Sequence, residues 1–239
     1  MVNGLETFRD YFQNHSADYV LIGGVACELA LNSLRLEFRP TDDFDIVIVS
    51  ENLNQGFGEA LKKFIQEGKY SVKRRQSNNK PTFFCFLSPQ NDDFPSKLEL
   101  ATVKPYDEWE WDFAPLDAGD AKSSLSAILF EKDFYGFILD NKVDSNGIST
   151  MRLEGLIPLK CLAYLELSKE SNPSPKVLAN IEKHRQDIFR LAEVLPGGSF
   201  QLPTNVAEIT KEALQLIASK TQNDEAFEIL EMLRQFYLL

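Results

Sequence analysis

The hydrophobic period of this chain changes near its middle, and that change limits the folds open to it. From about residue 18 to 150 the apolar segments are short, β-branched or aromatic, and separated by turn residues, which predicts strands with a few helices. From about residue 153 four stretches, 155–169, 176–194, 204–219 and 223–237, repeat apolar residues at three- and four-residue spacing and predict helices. Pro173 and Pro175 separate the first of these from the second, and Pro196-Gly197-Gly198 ends the second. The class is therefore α+β, with a mixed-sheet core over 1–153 and a helical region over 154–239. A length of 239 residues with 44% hydrophobic and 26% charged residues supplies a sizeable core and excludes a disordered or collagen-like chain.

Within the first part the pattern predicts a helix over 5–13, then a strand over 19–22 that runs into Gly23-Gly24. A helix over 26–32 starts directly on those glycines, and 44–49 is a buried strand with an acidic beginning. A helix over 54–67 stops at Gly68. Strands at 70–75 and 82–87 make a hairpin across Asn78-Asn79-Lys80-Pro81, and 97–102 is a further strand. Late strands at 128–139 and 149–153 flank a turn at 144–147. The stretch 106–113, with Trp109 and Trp111, fits neither period.

No run approaches the roughly 18 apolar residues of a membrane span, and the N-terminus lacks a basic segment followed by an apolar one. Cys27, Cys85 and Cys161 are far apart and flanked by apolar residues, as buried thiols of a reducing compartment are. The expected location is the cytoplasm, with no membrane contact. Lys and Arg number 25 against 36 Asp and Glu, a net charge of −11. Such a chain is a poor general ligand for nucleic acid, despite local clusters at Lys73-Arg74-Arg75 and Lys183-His184-Arg185.

Four constellations can carry chemistry. Gly23-Gly24 between strand and helix allows a phosphate to approach free backbone N–H groups, although any tight turn could use the same pair. In Arg39-Pro40-Thr41-Asp42-Asp43-Phe44-Asp45, strand alternation puts Asp43 and Asp45 on one face and Phe44 on the other. Two such carboxylates suit Mg²⁺, which keeps waters and meets substrate phosphates, while Asp42 points away. Glu99, between Leu98 and Leu100, faces away from the core and across from the aspartates, where it could bridge a second metal or deprotonate a hydroxyl. In the helical half Lys160 borders an apolar stripe, and Lys183 and Asp187 have the four-residue spacing of a surface ion pair. His15 and His184 have no second ligand at metal spacing, and GxSxG, Walker A and GxGxxG patterns are missing.

The order of these elements carries more than each alone. Leu21-Ile22-Gly23-Gly24-Val25-Ala26, followed by Arg39-x-Thr41-x-Asp43-x-Asp45-Ile46, resembles the nucleotidyltransferase superfamily with the DNA polymerase β-like fold. The double glycine with Arg-x-Thr-x-Asp-x-Asp looks most like its AbiEii/AbiGii-type branch, toxins of bacterial toxin–antitoxin pairs. Lys160, Lys183 and Asp187 are the positions matching that branch's distal lysine and Lys-x-x-x-Asp. Glu99 stands where the superfamily more often has Asp, and the glycine pair lacks the serine of many relatives.

The resemblance implies a Mg²⁺-dependent enzyme that moves a nucleoside monophosphate from a nucleoside triphosphate to a hydroxyl on RNA, protein or a small molecule, with an antitoxin as a possible protein partner. Asp43, Asp45 and Glu99 would be catalytic and metal-binding. Gly23, Gly24, Arg39, Thr41, Lys160, Lys183 and Asp187 would bind the nucleotide, with Lys160 on its outer phosphates. The alternative is an inactive nucleotide-binding or protein-interaction module on the same fold.

Overall fold

Two short segments sit at the centre of the molecule because, beyond the acidic start of the second, neither has a polar side to give to water. β1 (Tyr19–Ile22) is buried along its whole length, and β2 (Asp43–Ile48) is buried from Ile46 onward. They pair antiparallel, Ile22 opposite Asp45. In the computed structural model, which describes residues 2–49, 55–72, 83–101 and 132–239, they form the middle of a seven-stranded mixed sheet. Its order is β3 (Ser71–Val72), β4 (Phe83–Leu87), β5 (Lys97–Ala101), β2, β1, β7 (Ile148–Met151) and β6 (Lys142–Ser145). The β2–β5 and β1–β7 pairs are parallel; the remaining pairs are antiparallel.

Strand alternation gives the sheet two different apolar faces. Tyr19, Leu21, Phe44, Ile46, Ile48, Leu98 and Leu100 join Phe8 and Phe12 of α1 (Leu5–Phe12) and Phe57 and Phe64 of α3 (Gln55–Gly68) in one core. Val20, Ile22 and Val47 belong to a second core. This second core is shared with α2 (Gly23–Ser33), α4 (Lys132–Asp140), α5 (Leu153–Ser168), α6 (Pro175–Ala192), α7 (Thr204–Lys220) and α8 (Asp224–Phe236). Asp43 and Asp45, in phase with Val47, therefore project from the side of the sheet that carries the C-terminal helices.

Helix boundaries follow local chemistry. Ser174 caps α6 by accepting from the Val177 N–H, with Pro175 in the first turn where no donor is needed. Pro158 lies inside α5 and cannot donate to the Glu154 carbonyl; that carbonyl instead accepts from the Tyr237 hydroxyl at 2.7 Å. The C-terminal residues thus repair the helix the proline interrupts.

The four C-terminal helices and the strands at 19–22, 44–49 and 97–102 lie within a few residues of their sequence positions. The expectation of a strand over 128–139 is overturned. Residues 132–140 are helix α4, burying Phe134, Phe137 and Ile138 at i, i+3 and i+4. Aromatic and β-branched content suggested a strand, but the spacing is helical. The strand preceding β7 is β6, and the pair turns through Asn146 and Gly147, both with positive φ (53° and 80°). That is the geometry of a two-residue hairpin loop. α2 starts at Gly23 rather than Ala26. The turn of the hairpin over 70–87, the basic cluster at 73–75 and the stretch 106–113 lie outside the described residues.

All three cysteines are buried and free. No helix among the described residues is long and apolar enough to cross a membrane.

Candidate active site

The parallel pairing of β2 with β5 sets four polar side chains in a square. Asp43 stands opposite Lys97 and Asp45 opposite Glu99, and each strand's pair is two residues apart, hence on one face. Glu99 is only 4% exposed. It accepts from the Lys97 ammonium, shares a hydrogen bond with Asp45, and lies 3.9 Å from the Cys85 thiol across β4. The Lys97 Nζ also lies 3.8 Å from Asp43 Oδ2.

Crowding of three acids has a titration consequence. Burial, together with the negative charge of Glu99 and the hydrogen bond to it, pushes the Asp45 carboxyl up to about 8. Asp43 is also raised, by burial first and by Asp42 and Glu99, against the opposing pull of Lys97. Near neutral pH the Asp45 carboxyl therefore keeps a proton, beside the Glu99 carboxylate it is hydrogen-bonded to. Among the described residues, no three His, Cys, Asp or Glu side chains converge as they would around one metal ion. The Lys97 ammonium bridges the acids in this arrangement.

Gly23, the first residue of α2, closes this square just beyond the end of β1. Its φ of 70° is left-handed, and a methyl group there would run into the Asp45 carboxylate. A methyl on Gly24 would come within 2.5 Å of the Thr41 hydroxyl. The glycines thus allow the start of α2 to approach the acids and the 34–42 loop more closely than any other residue would.

The loop is fastened from the helical half. Arg39 donates through Nε and Nη2 to the two Asp187 oxygens, each at 2.8 Å, and the Lys160 ammonium donates to Asp187 at 2.8 Å. Lys160 and Asp187 are each 2% exposed. Burial alone would raise the Asp187 carboxyl; Lys160 and Arg39 outweigh it and hold the group at about 2. One buried carboxylate therefore joins α5, α6 and the loop that leads into Asp43.

This placement departs from the solvated Lys183–Asp187 pair expected from four-residue spacing, because Asp187 points inward to Lys160 and Arg39. It also departs from a Lys160 free to reach outer phosphates, since that ammonium is spent on Asp187. Lys183 makes no hydrogen bond or ion pair among the described residues. Burial, with Arg39 and Lys160 nearby, lowers its pKa, while Asp45 and Asp187 act in the other direction. It is a part-buried cation facing the acids from α6.

No protein-family model, curated protein or solved structure matches this chain. The site's chemistry therefore rests on its own geometry.

A cleft of about 640 Å³ is lined by Thr41 and Asp42, of the loop leading into Asp43, and by Glu28, Asn32 and Glu37. Three carboxylates make it unfavourable for a triphosphate and favourable for neutral or cationic groups. Spacing alone gave no reason to single out Glu28 or Glu37. Lys97 was not singled out either, although the alternation that turns Glu99 away from Leu98 turns Lys97 the same way.

Proposed function

We propose that this protein is a nucleotidyltransferase that uses Mg²⁺ to move a nucleoside monophosphate from a nucleoside triphosphate onto a hydroxyl acceptor. The observation that carries this reading is the in-register opposition of Asp45 and Glu99 beside Asp43, with Gly23 pressed against the Asp45 carboxylate. Acids of this kind next to a glycine-opened helix start suit phosphate chemistry. The order of motifs, resembling the DNA polymerase β-like superfamily and its AbiEii/AbiGii-type branch, supports the same reading.

The donor set fits the ion. Hard carboxylate oxygens are what Mg²⁺ takes, and the contacts of the Lys97 ammonium with Asp43 and Glu99 support a preference for positive charge there. Asp43 and Asp45 would hold the ion, whose contribution is to neutralise charge on the nucleotide phosphates. The backbone N–H groups at Gly23 and Gly24 donate to the phosphate oxygens. Lys183, the part-buried cation without a direct partner among the described residues, pairs with them as a point charge. Arg39, Lys160 and Asp187 hold the loop in place rather than touching nucleotide. The acceptor hydroxyl lies towards the acidic cleft. Its oxygen bonds to the α-phosphorus, the bond to the β-phosphate oxygen breaks, pyrophosphate leaves, and the hydroxyl proton passes to the Glu99 carboxylate.

A second reading is a nucleotide-binding or protein-interaction module without turnover. The observation favouring it is that Lys97 already neutralises part of the acid cluster. Under either reading, similarity to the toxin branch makes an antitoxin protein a candidate partner. Thermal shift with each of the four nucleoside triphosphates, with and without Mg²⁺, tests nucleotide binding. A Mg²⁺-dependent rise in melting temperature supports the proposal; no response to any nucleotide defeats it and the nucleotide-binding module alike, leaving only a protein-interaction role. Pyrophosphate release then separates enzyme from module.

A further inference from the structure

We propose that Lys97 is a built-in cation of the acid cluster, its ammonium holding the place beside Asp43 and Glu99 that a second divalent ion would otherwise take. The site therefore admits one divalent ion, not two. This rests on the reading of the cluster as a metal site.

Three observations carry it. The first is register: Lys97 is directly opposite Asp43 and two residues from Glu99 on the same strand, so its ammonium is tethered inside the square and not recruited from elsewhere. The second is contact, since the ammonium bonds Glu99 and lies 3.8 Å from Asp43 Oδ2. The Glu99 side chain it meets is 5% exposed, so removing the ammonium would leave a buried carboxylate to be desolvated alone. The third is charge. Once a bound ion displaces the Asp45 proton, Asp43, Asp45 and Glu99 carry three negative charges; Lys97 reduces that to two, which one divalent ion balances.

An ammonium and a divalent ion are not equivalent. The ammonium offers hydrogen-bond donors but no coordination positions, so it can steady phosphate or carboxylate oxygens yet cannot bind water as a ligand. A one-ion site built this way leaves proton removal from the acceptor to a carboxylate, which places that task on Glu99.

Counting bound Mn²⁺ by electron paramagnetic resonance tests this on the full chain without nucleotide. Loss of the free-ion signal gives the number bound, and spin coupling reveals two ions a few ångströms apart. The wild type is expected to bind one Mn²⁺ and Lys97→Arg also one. Lys97→Met and Lys97→Gln are each expected to bind two, with a coupled spectrum. Two coupled ions in the wild type would overturn the proposal, as would a single ion of unchanged affinity in both neutral variants. The wild-type count stands even if a neutral variant does not fold. No bound Mn²⁺ in any protein would instead defeat the reading of the acids as a metal site, and the proposal with it.

Discussion

Asp45 on β2 and Glu99 on β5 stand directly opposite each other in a parallel ladder, their carboxyls hydrogen-bonded. Two acids so placed cannot both ionise cheaply, and the site stores that repulsion as a bound proton.

The pH dependence of stability follows. Because the Asp45 carboxyl is raised to about 8, the folded state binds more protons than the unfolded one, whose aspartates titrate near ~4. Stability without metal should therefore fall as pH rises through that window and level off above it. Urea midpoints for the wild type and Asp45→Asn between pH 5 and 9 check this. The variant should lose the decline; parallel curves would show that the Asp45–Glu99 proton is not its source.

Asp187 works in the opposite sense. Held at about 2, it stabilises the fold above the ordinary carboxylate range, and that contribution fades only as pH falls towards about 2. Asp187→Ala should cost about 3–5 kcal/mol, because it strands Lys160 in a buried position. The double variant Lys160→Met/Asp187→Leu should cost much less. Equal losses in the two proteins would contradict the account of a buried clamp.

Much of this site was legible. The period of two put Asp43 and Asp45 on one face, Phe44 on the other, and Glu99 opposite Leu98 and Leu100. Glu99 was expected across from the aspartates, but its register, directly opposite Asp45 on a parallel strand, could not be read, since a side-chain period fixes a face but not a partner residue. Asp187 was misplaced for a related reason. Four-residue spacing offered Lys183, while its actual partners lie 27 and 148 residues away on other elements. For α4, composition misled where spacing did not.

Gly23 should tolerate no side chain. Gly23→Ala meets the Asp45 carboxylate and costs about 1–2 kcal/mol from the left-handed backbone alone. Melting temperature should fall, and nucleotide-dependent stabilisation should vanish. An alanine variant with wild-type melting and nucleotide response would show that the close approach of α2 to the acids is not required.

Lys183 should matter to turnover more than to folding. Lys183→Gln should lower nucleotide transfer tens- to hundreds-fold, a loss of about 2–4 kcal/mol for one charged contact, with little change in melting. Lys169→Gln, at the exposed end of α5, should be nearly silent. Matching small effects in steady-state assays of both variants would remove Lys183 from the phosphate site.

Transfer itself is the most direct test. The four nucleoside triphosphates, labelled at the α-phosphate, are offered with Mg²⁺ together with total RNA and a cell lysate, using wild-type protein and Asp45→Asn. The account predicts that the wild type releases pyrophosphate and leaves label on an acceptor from at least one nucleotide, and that Asp45→Asn does neither. Wild-type protein that binds nucleotide yet transfers no label and releases no pyrophosphate with any of the four would contradict it.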